Sequence, residues 1–155
     1  MTTANTQPRV ADVCEILSEV MDPEYGTLSI VDLGIVANVV IERDAVGVTL
    51  LPTMAGCPAR EVIESDVRSA LARAGVSNVT VEWCLDGSWE PQRLSTKAAE
   101  QLGKEFSIAI RNDGALPSCP ICKAPSLREV SPVGPTRCRS VAWCDDCRNV
   151  VEVVG

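Results

Sequence analysis

Apolar positions in the first hundred residues switch between helical and strand-like spacing. Residues 10–20, 59–74 and 95–102 repeat every three or four positions, with charged residues on the opposite side, which predicts amphipathic helices. Three intervening stretches, 28–41, 46–50 and 79–83, are rich in Val and Ile or alternate with polar residues, which predicts strands. The order helix, two strands, helix, strand, helix predicts a small α+β sandwich.

Boundary residues support this assignment. Pro58 suits the first turn of the helix over 59–74, and Gly75 suits the position just past its end. Ser95 is a candidate N-cap for the short third helix, which we expect to close at Gly103. Asp32-Leu33-Gly34 interrupts the apolar stretch 28–41, and we expect a bulge or bend there.

The periodic pattern stops after Gly103. Residues 104–117 follow neither spacing and include Asn112-Asp113-Gly114, a turn-forming sequence. We therefore predict an α+β domain over 1–103, a linker over 104–117 and a second domain over 118–155.

Cysteine spacing dominates the second domain. Two C-x-x-C units, Cys119 with Cys122 and Cys144 with Cys147, are separated by 21 residues. Two such turns can direct four thiolates at one point, as a structural Zn²⁺ site in a zinc ribbon requires. A redox-active C-x-x-C and an Fe–S cluster are the alternatives. Cys138 could replace one ligand, although its wider separation from Cys144 makes it the poorer candidate.

The amino-acid composition excludes several classes of function. The chain has eight cysteines, no histidine and a net charge of −7, and residues 1–117 alone carry −8. An acidic body argues against nucleic acid as a partner, and the missing histidine excludes a Ser-His-Asp triad and a Cys-His pair. The absence of a G-x-x-x-x-G-K-[ST] motif argues against P-loop nucleotide hydrolysis.

Targeting signals are not evident. No apolar run approaches the length of a membrane span, and the opening MTTANTQPRV has no apolar core of a signal peptide. We expect a cytoplasmic protein that does not bind membranes, in which cysteines bind metal or react rather than form disulfides.

Cys57 is the candidate functional thiol of the first domain. It precedes Pro58 at the predicted helix start, where free N–H groups and the helix dipole favour a thiolate. Thr53 and Gly56 add a hydroxyl and a close backbone approach. A buried, inert Cys57 is the alternative. Cys14 is on the apolar face of the first helix, and we favour a core position for it. Cys84 follows Trp83 near the end of a strand, and we favour a buried core position for it as well.

The acidic residues Asp22, Glu24 and Asp32 have two interpretations as well. They could shape a functional loop beside Cys57, or Asp22 and Asp32 could only cap turns and satisfy backbone amides.

Taken together, several of these short segments resemble the motifs of one protein family. The matching segments are Asp22-Pro23-Glu24, residues 29–36, Pro52-Thr53, Gly56-Cys57-Pro58 and, later, Trp89 with Arg93-Leu94-Ser95. They resemble the MIP18 (DUF59) domain, and the added ribbon is similar to the PaaD subgroup from bacterial phenylacetate degradation operons. The resemblance covers almost the whole chain.

The resemblance implies an accessory factor for metallocentre assembly rather than an enzyme. Cys57 would hold or pass iron or a transient Fe–S cluster, with Thr53, Asp22, Glu24 and Asp32 shaping its site. Clients would be the oxygenase and reductase of a phenylacetyl-CoA epoxidase type of system. Other Fe–S assembly proteins and a second copy of the chain are further candidate partners. The alternatives are a structural subunit of the oxygenase complex and an enzyme with Cys57 as nucleophile, which lacks a histidine base.

Overall fold

The computed structural model describes residues 8–54, 56–87 and 89–155. The N-terminal segment that bears on a signal peptide therefore lies mostly outside the described residues. The chain divides into two compact units. The first comprises the chain up to Pro52 together with Pro58–Gly87, and the second comprises Thr53–Cys57 together with Ser88–Gly155.

Among its described residues, the first unit contains two helices and a three-stranded sheet. Its elements are α1 (Val10–Leu17), β1 (Val36–Glu42), β2 (Ala45–Leu50), α2 (Arg60–Arg73) and β3 (Asn78–Trp83). The sheet order is β1-β2-β3, with β1 and β2 antiparallel and β2 and β3 parallel. Helix α2 makes the crossover that two parallel strands need. Apolar side chains of both helices and of β2 and β3 are buried, so the predicted α+β class is confirmed.

One predicted strand is shorter than its apolar content suggests. Of the stretch 28–41, only the part from Val36 onward is strand, and residues 30–34 form a tight turn. Gly34 has φ +67°, which a glycine adopts at little cost. Leu28, Ile30 and Leu33 are buried although they belong to no strand. These apolar residues are therefore buried as part of a turn. The spacing of apolar residues alone does not distinguish such a buried turn from a strand.

The helices follow the predicted pattern with small shifts. Helix α2 buries Ile63, Val67 and Leu71, and Gly75 beyond its end has φ +86°. Val62 in the same helix is 48% exposed although it is apolar. Helix α1 ends at Leu17, earlier than expected, because Ser18 and Glu19 already form a turn.

Among its described residues, the second unit contains one α-helix, a short 3-10 helix (Pro91–Arg93) and a four-stranded sheet. Helix α3 (Thr96–Glu105) is followed by β4 (Ile108–Ile110), β5 (Leu127–Ser131), β6 (Arg139–Cys144) and β7 (Val150–Val154), with sheet order β4-β7-β6-β5. The Ser95 hydroxyl accepts a hydrogen bond from the Ala98 N–H at 3.0 Å, which is the predicted N-cap. The helix continues past Gly103, and side-chain pairs one turn apart support its end, such as Lys104 with Glu100 at 3.3 Å.

The predicted linker contains regular structure. Strand β4 lies within 104–117 and pairs in parallel with β7, with Ile108 opposite Glu152. The irregular part is the turn at 112–115, where Ala115 N–H donates to the Asn112 carbonyl. The division into domains 1–103 and 118–155 stays a prediction.

Among the described residues, no helix combines the length and the apolar character that crossing a bilayer requires.

Candidate functional site

Two matching turns in the second unit carry the four cysteines. After Cys119, the N–H of Lys123 returns to the Cys119 carbonyl at 2.9 Å, and after Cys144 the N–H of Arg148 returns to the Cys144 carbonyl at the same distance. Lys123 and Arg148 both adopt positive φ, +67° and +55°. The spacing of the cysteines predicts these turns, but a Lys or an Arg does not indicate this backbone conformation, so neither residue could be identified from the sequence.

The four sulfur atoms converge. All of them lie within 4.8 Å of one another, with Cys119 Sγ 3.8 Å from Cys147 Sγ and Cys122 Sγ 3.6 Å from Cys144 Sγ. A tetrahedral Zn²⁺ with Zn–S bonds of about 2.3 Å would separate its sulfurs by about 3.8 Å. The arrangement thus fits a tetrahedral zinc ion. Cys119 and Cys144 are fully buried and also form part of the small apolar core of this sheet.

Without a metal, the four thiols of the cluster do not ionise equally. A hydrogen bond with the Ser126 hydroxyl and another from the Cys147 backbone N–H lower the pKa of Cys144 to about 6. The Ala124 N–H lowers the pKa of Cys122, but desolvation and the hydrogen bonds with the other three sulfurs outweigh it and raise that pKa to about 12. Four thiols this close cannot all ionise unless a metal neutralises them.

Cys138, the alternative ligand, does not join this cluster. Among the described residues, the group of potential metal ligands contains only the other four cysteines of the ribbon. Cys138 Sγ lies 3.3 Å from the Thr136 hydroxyl. The prediction that the two C-x-x-C units, rather than Cys138, supply the metal ligands agrees with these sulfur positions.

The acidic residues of the first unit organise two turns. Asp22 is buried, and its Oδ1 accepts hydrogen bonds from the N–H groups of Glu24 at 2.8 Å and Tyr25 at 3.2 Å. Asp32 Oδ2 accepts from the Ser29 hydroxyl at 3.0 Å, and Ser29 Oγ in turn accepts from the Asp32 N–H at 3.0 Å. The turn-capping interpretation of Asp22 and Asp32 therefore describes what their side chains do. It leaves a further role open, because a carboxylate has more than one acceptor position.

The predicted transfer site is divided between the two units. Asp22, Glu24 and Asp32 belong to the first unit, whereas Thr53 and Cys57 belong to the second. Within the loop, the Cys57 N–H donates to the Met54 carbonyl at 3.2 Å, and the Cys57 side chain is half-buried. Helix α2 begins at Arg60, so Cys57 stands three residues before the first helical residue, rather than at the helix start as expected.

The other two cysteines outside the ribbon are not core residues. Cys14 and Cys84 are both half-buried, which differs from the buried positions expected for them. Cys84 Sγ lies 3.4 Å from Asp86 Oδ1. Helical period placed Cys14 near the apolar side of α1, but the buried side of that helix is formed by Val13 and Leu17.

Comparisons with known proteins match both parts of the chain. A family model described as iron-sulfur cluster assembly protein matches residues 10–83, and a model described as PaaD zinc beta ribbon domain matches residues 106–155. Asp22, Glu24, Asp32, Thr53 and Cys57 all fall within the first match.

Curated relatives extend the match to nearly the whole chain. An Escherichia coli K12 protein, provisionally named as one of the subunits of 1,2-phenylacetyl-CoA epoxidase, is 32% identical over 148 residues, covering 91% of this chain and 89% of that protein. A Porphyromonas gingivalis protein named Fe-S protein maturation auxiliary factor is 33% identical over 94 residues, which cover 59% of this chain and 89% of that protein.

Solved structures match the first part. A DUF59 domain of unknown function from Bacillus anthracis has a TM-score of 0.57 at 31% identity, covering 61% of this chain and 91% of that one. A conserved hypothetical protein from Thermotoga maritima has a TM-score of 0.55 at 35% identity, covering 63% of this chain and 96% of that one. The chain belongs to the iron-sulfur cluster assembly protein (DUF59/MIP18) family, in the PaaD-like group that carries a C-terminal zinc β-ribbon.

Proposed function

We propose that this protein is a cytoplasmic accessory factor that helps assemble the metallocentre of a bacterial multicomponent oxygenase of the phenylacetyl-CoA epoxidase type. The observation that carries the proposal is the combination of an assembly-family domain with a zinc ribbon in one chain, which aligns over 91% of its length with a relative named for that epoxidase. Shorter relatives named Fe-S protein maturation auxiliary factor align with the first part only, which supports assembly as its task.

Cys57 is the residue that we propose holds or passes iron or an Fe–S unit to the client. It lies in a loop, it is half-buried rather than sealed, and Gly56 before it is exposed. A thiolate is the soft ligand that iron–sulfur units use. Thr53 in the same loop and the acidic residues Asp22, Glu24 and Asp32 would shape the surroundings of the transferred metal.

The ribbon cysteines have a different role. Four sulfurs already complete a tetrahedral shell, so the zinc has no open position for water or a substrate, which is the mark of a structural site. We propose that this site holds the ribbon together and that the ribbon contacts the client. The iron or cluster that moves through Cys57 is cargo, whereas the zinc is resident.

Catalysis by Cys57 is the weaker alternative. The chain contains no histidine, so a cysteine nucleophile would lack the base that usually activates it. Relatives carry names of auxiliary factors or of an epoxidase component. We therefore assign the protein no reaction of its own.

A structural component of the oxygenase complex is the second candidate function, favoured by the name of the Escherichia coli relative, which makes it a part of the epoxidase. Co-purification separates the two candidates. A structural component would stay with the oxygenase in fixed stoichiometry, whereas an assembly factor would bind transiently and change the metal content of its client.

The deciding experiment co-expresses the client oxygenase and reductase with the wild-type chain, with Cys57→Ala or with Cys14→Ala. We expect Cys57→Ala to lower client iron content and activity several-fold, because the transferring thiol is lost, while the folding and zinc content of the variant are unchanged. The matched control Cys14→Ala should leave the client fully loaded. A fully loaded, active client with Cys57→Ala would reject the assembly role and favour the structural component.

A further inference from the structure

A cavity of about 350 Å³ lies in the second unit, away from the sulfur cluster. Its volume is at the lower end of the range of small-molecule sites. The wall comes from the loop that carries Cys57, from β5, β6 and β7, and from the segments beside them. The lining residues used below are Met54, Trp89, Arg111, Glu129, Pro132, Arg137 and Arg139.

Three arginines line the cavity, and two of them have carboxylate partners. Arg111 pairs with Glu129, and Arg139 pairs with Glu152 at 2.6 Å. In the part of the chain that the structure describes, Arg137 has no carboxylate partner, and its side chain is exposed at the rim. Among the side chains that line the cavity, Arg137 therefore carries a positive charge that no carboxylate side chain neutralises.

Arg111 also has unused hydrogen-bonding capacity. Its Nη2 donates to Glu129 and lies 3.4 Å from the Ser140 hydroxyl, and 22% of the Arg111 side-chain surface remains exposed. A guanidinium has five N–H donors in a planar fork that matches a carboxylate. Arg111 is held in place by Glu129, so it is positioned to donate to a ligand with little loss of side-chain freedom.

Part of the remaining wall is apolar. Met54 and Trp89 stand with Pro132 and Val153 around the same space. Apolar and aromatic walls with a few polar groups are the usual composition of a site for an organic ligand. A single arginine without a carboxylate partner matches one negative charge on the ligand, which disfavours phosphate and dicarboxylates.

We propose that this cavity binds a small organic monocarboxylate, with the carboxylate on Arg137 and Arg111 and the apolar body against Trp89 and Met54. The proposal goes beyond the assembly role and does not rest on it. Thr53 and Met54 belong to the loop that carries Cys57, so an occupied cavity would restrain that loop.

Binding is tested by NMR titration of the full zinc-loaded chain with benzoate, using benzamide and inorganic phosphate as matched probes. Benzoate should give saturable shifts of the Ser140, Val153 and Val154 amides, with a Kd on the order of 1 mM or tighter for a ligand of this size. Benzamide lacks the charge and phosphate lacks the apolar body, so both should bind at least about tenfold more weakly.

Arg137→Gln should weaken benzoate binding about tenfold, because a charge-assisted hydrogen bond is lost. Arg128→Gln is the control: it removes an exposed arginine from the same sheet that does not line the cavity. Zinc content of both variants should equal that of wild type. The proposal is overturned if benzoate causes no saturable shifts at these amides, if benzamide or phosphate binds as well, or if both variants bind equally.

Discussion

At the scale of single residues, Cys57 differs from the two other cysteines outside the ribbon in its surroundings. Cys14 is part of helix α1, and Cys84 Sγ lies 3.4 Å from the Asp86 carboxylate, whereas Cys57 follows an exposed glycine in a loop.

We therefore expect iodoacetate to alkylate Cys57 fastest of these three cysteines near neutral pH. Iodoacetate is an anion, and Asp86 repels it from Cys84. Mass spectrometry of zinc-loaded protein after timed quenching gives the three rates, and Cys57→Ala identifies the fast site. Faster modification of Cys14 or Cys84 would contradict the special status of Cys57.

Ser29 is a residue whose importance only the contacts reveal. It is 1% exposed, its hydroxyl exchanges hydrogen bonds with Asp32, and it holds the turn that replaces the expected strand. Ser29→Ala should lower the free energy of unfolding by about 1–3 kcal/mol, because it removes two part-buried hydrogen bonds with Asp32 that contribute about 0.5–1.5 kcal/mol each.

Urea denaturation followed by circular dichroism measures this effect. Thr27→Ala is the control, because Thr27 is an exposed residue of the preceding turn and should change stability by less than about 0.5 kcal/mol. Equal stability of the two variants would mean that the Ser29 hydrogen bonds contribute nothing net.

At the scale of elements, we expect the ribbon to depend on a bound metal for its folding. The buried core of the four-stranded sheet is small and includes Cys119 and Cys144 themselves. A sheet of this size buries too little apolar surface to fold reliably alone, so metal binding and folding should be one process.

Wild-type protein should contain one zinc per chain, and the double variant Cys144→Ser/Cys147→Ser should contain none and lose the ribbon fold. Elemental analysis and NMR of the Val151 and Val153 amides report the two properties. Cys138→Ser is the matched control and should keep one zinc, because Cys138 lies outside the sulfur cluster. Stoichiometric zinc in the double variant would disprove the ligand assignment.

At the scale of the whole molecule, the domain division at 104–117 can be tested by cleavage. Residues 112–115 form an exposed turn, whereas β4 just before them is paired with β7. Proteases cut exposed, weakly bonded backbone first. We expect thermolysin to cut at 112–117 and to leave a folded N-terminal fragment.

Mass spectrometry locates the cut, and circular dichroism of the isolated fragment reports its folding. Prior removal of zinc by a chelator should add cuts within 118–155 while leaving 10–83 resistant. A fragment that unfolds on separation would show that the chain has one merged core.

Local patterns in the sequence determined the features that depend on near neighbours or on rigid chemistry. The sequence alone predicts helix α2 between Pro58 and Gly75, the Ser95 cap and the cluster of four ribbon cysteines. Helical spacing, capping and C-x-x-C turns each involve residues only a few positions apart, so a local pattern is enough to predict them. The combination of motifs likewise indicated the family, which the comparisons confirm.

Only the tertiary structure decided the features that depend on distant partners. Leu28, Ile30 and Leu33 read as strand, but they are buried by a turn that Ser29 and Asp32 hold, and strand β4 forms in an unpatterned stretch because β7 supplies its hydrogen bonds. The cavity unites Met54, Trp89, Arg111 and Arg137, which no spacing connects. Burial and strand pairing are set by residues far apart in the chain, so a local pattern cannot specify them.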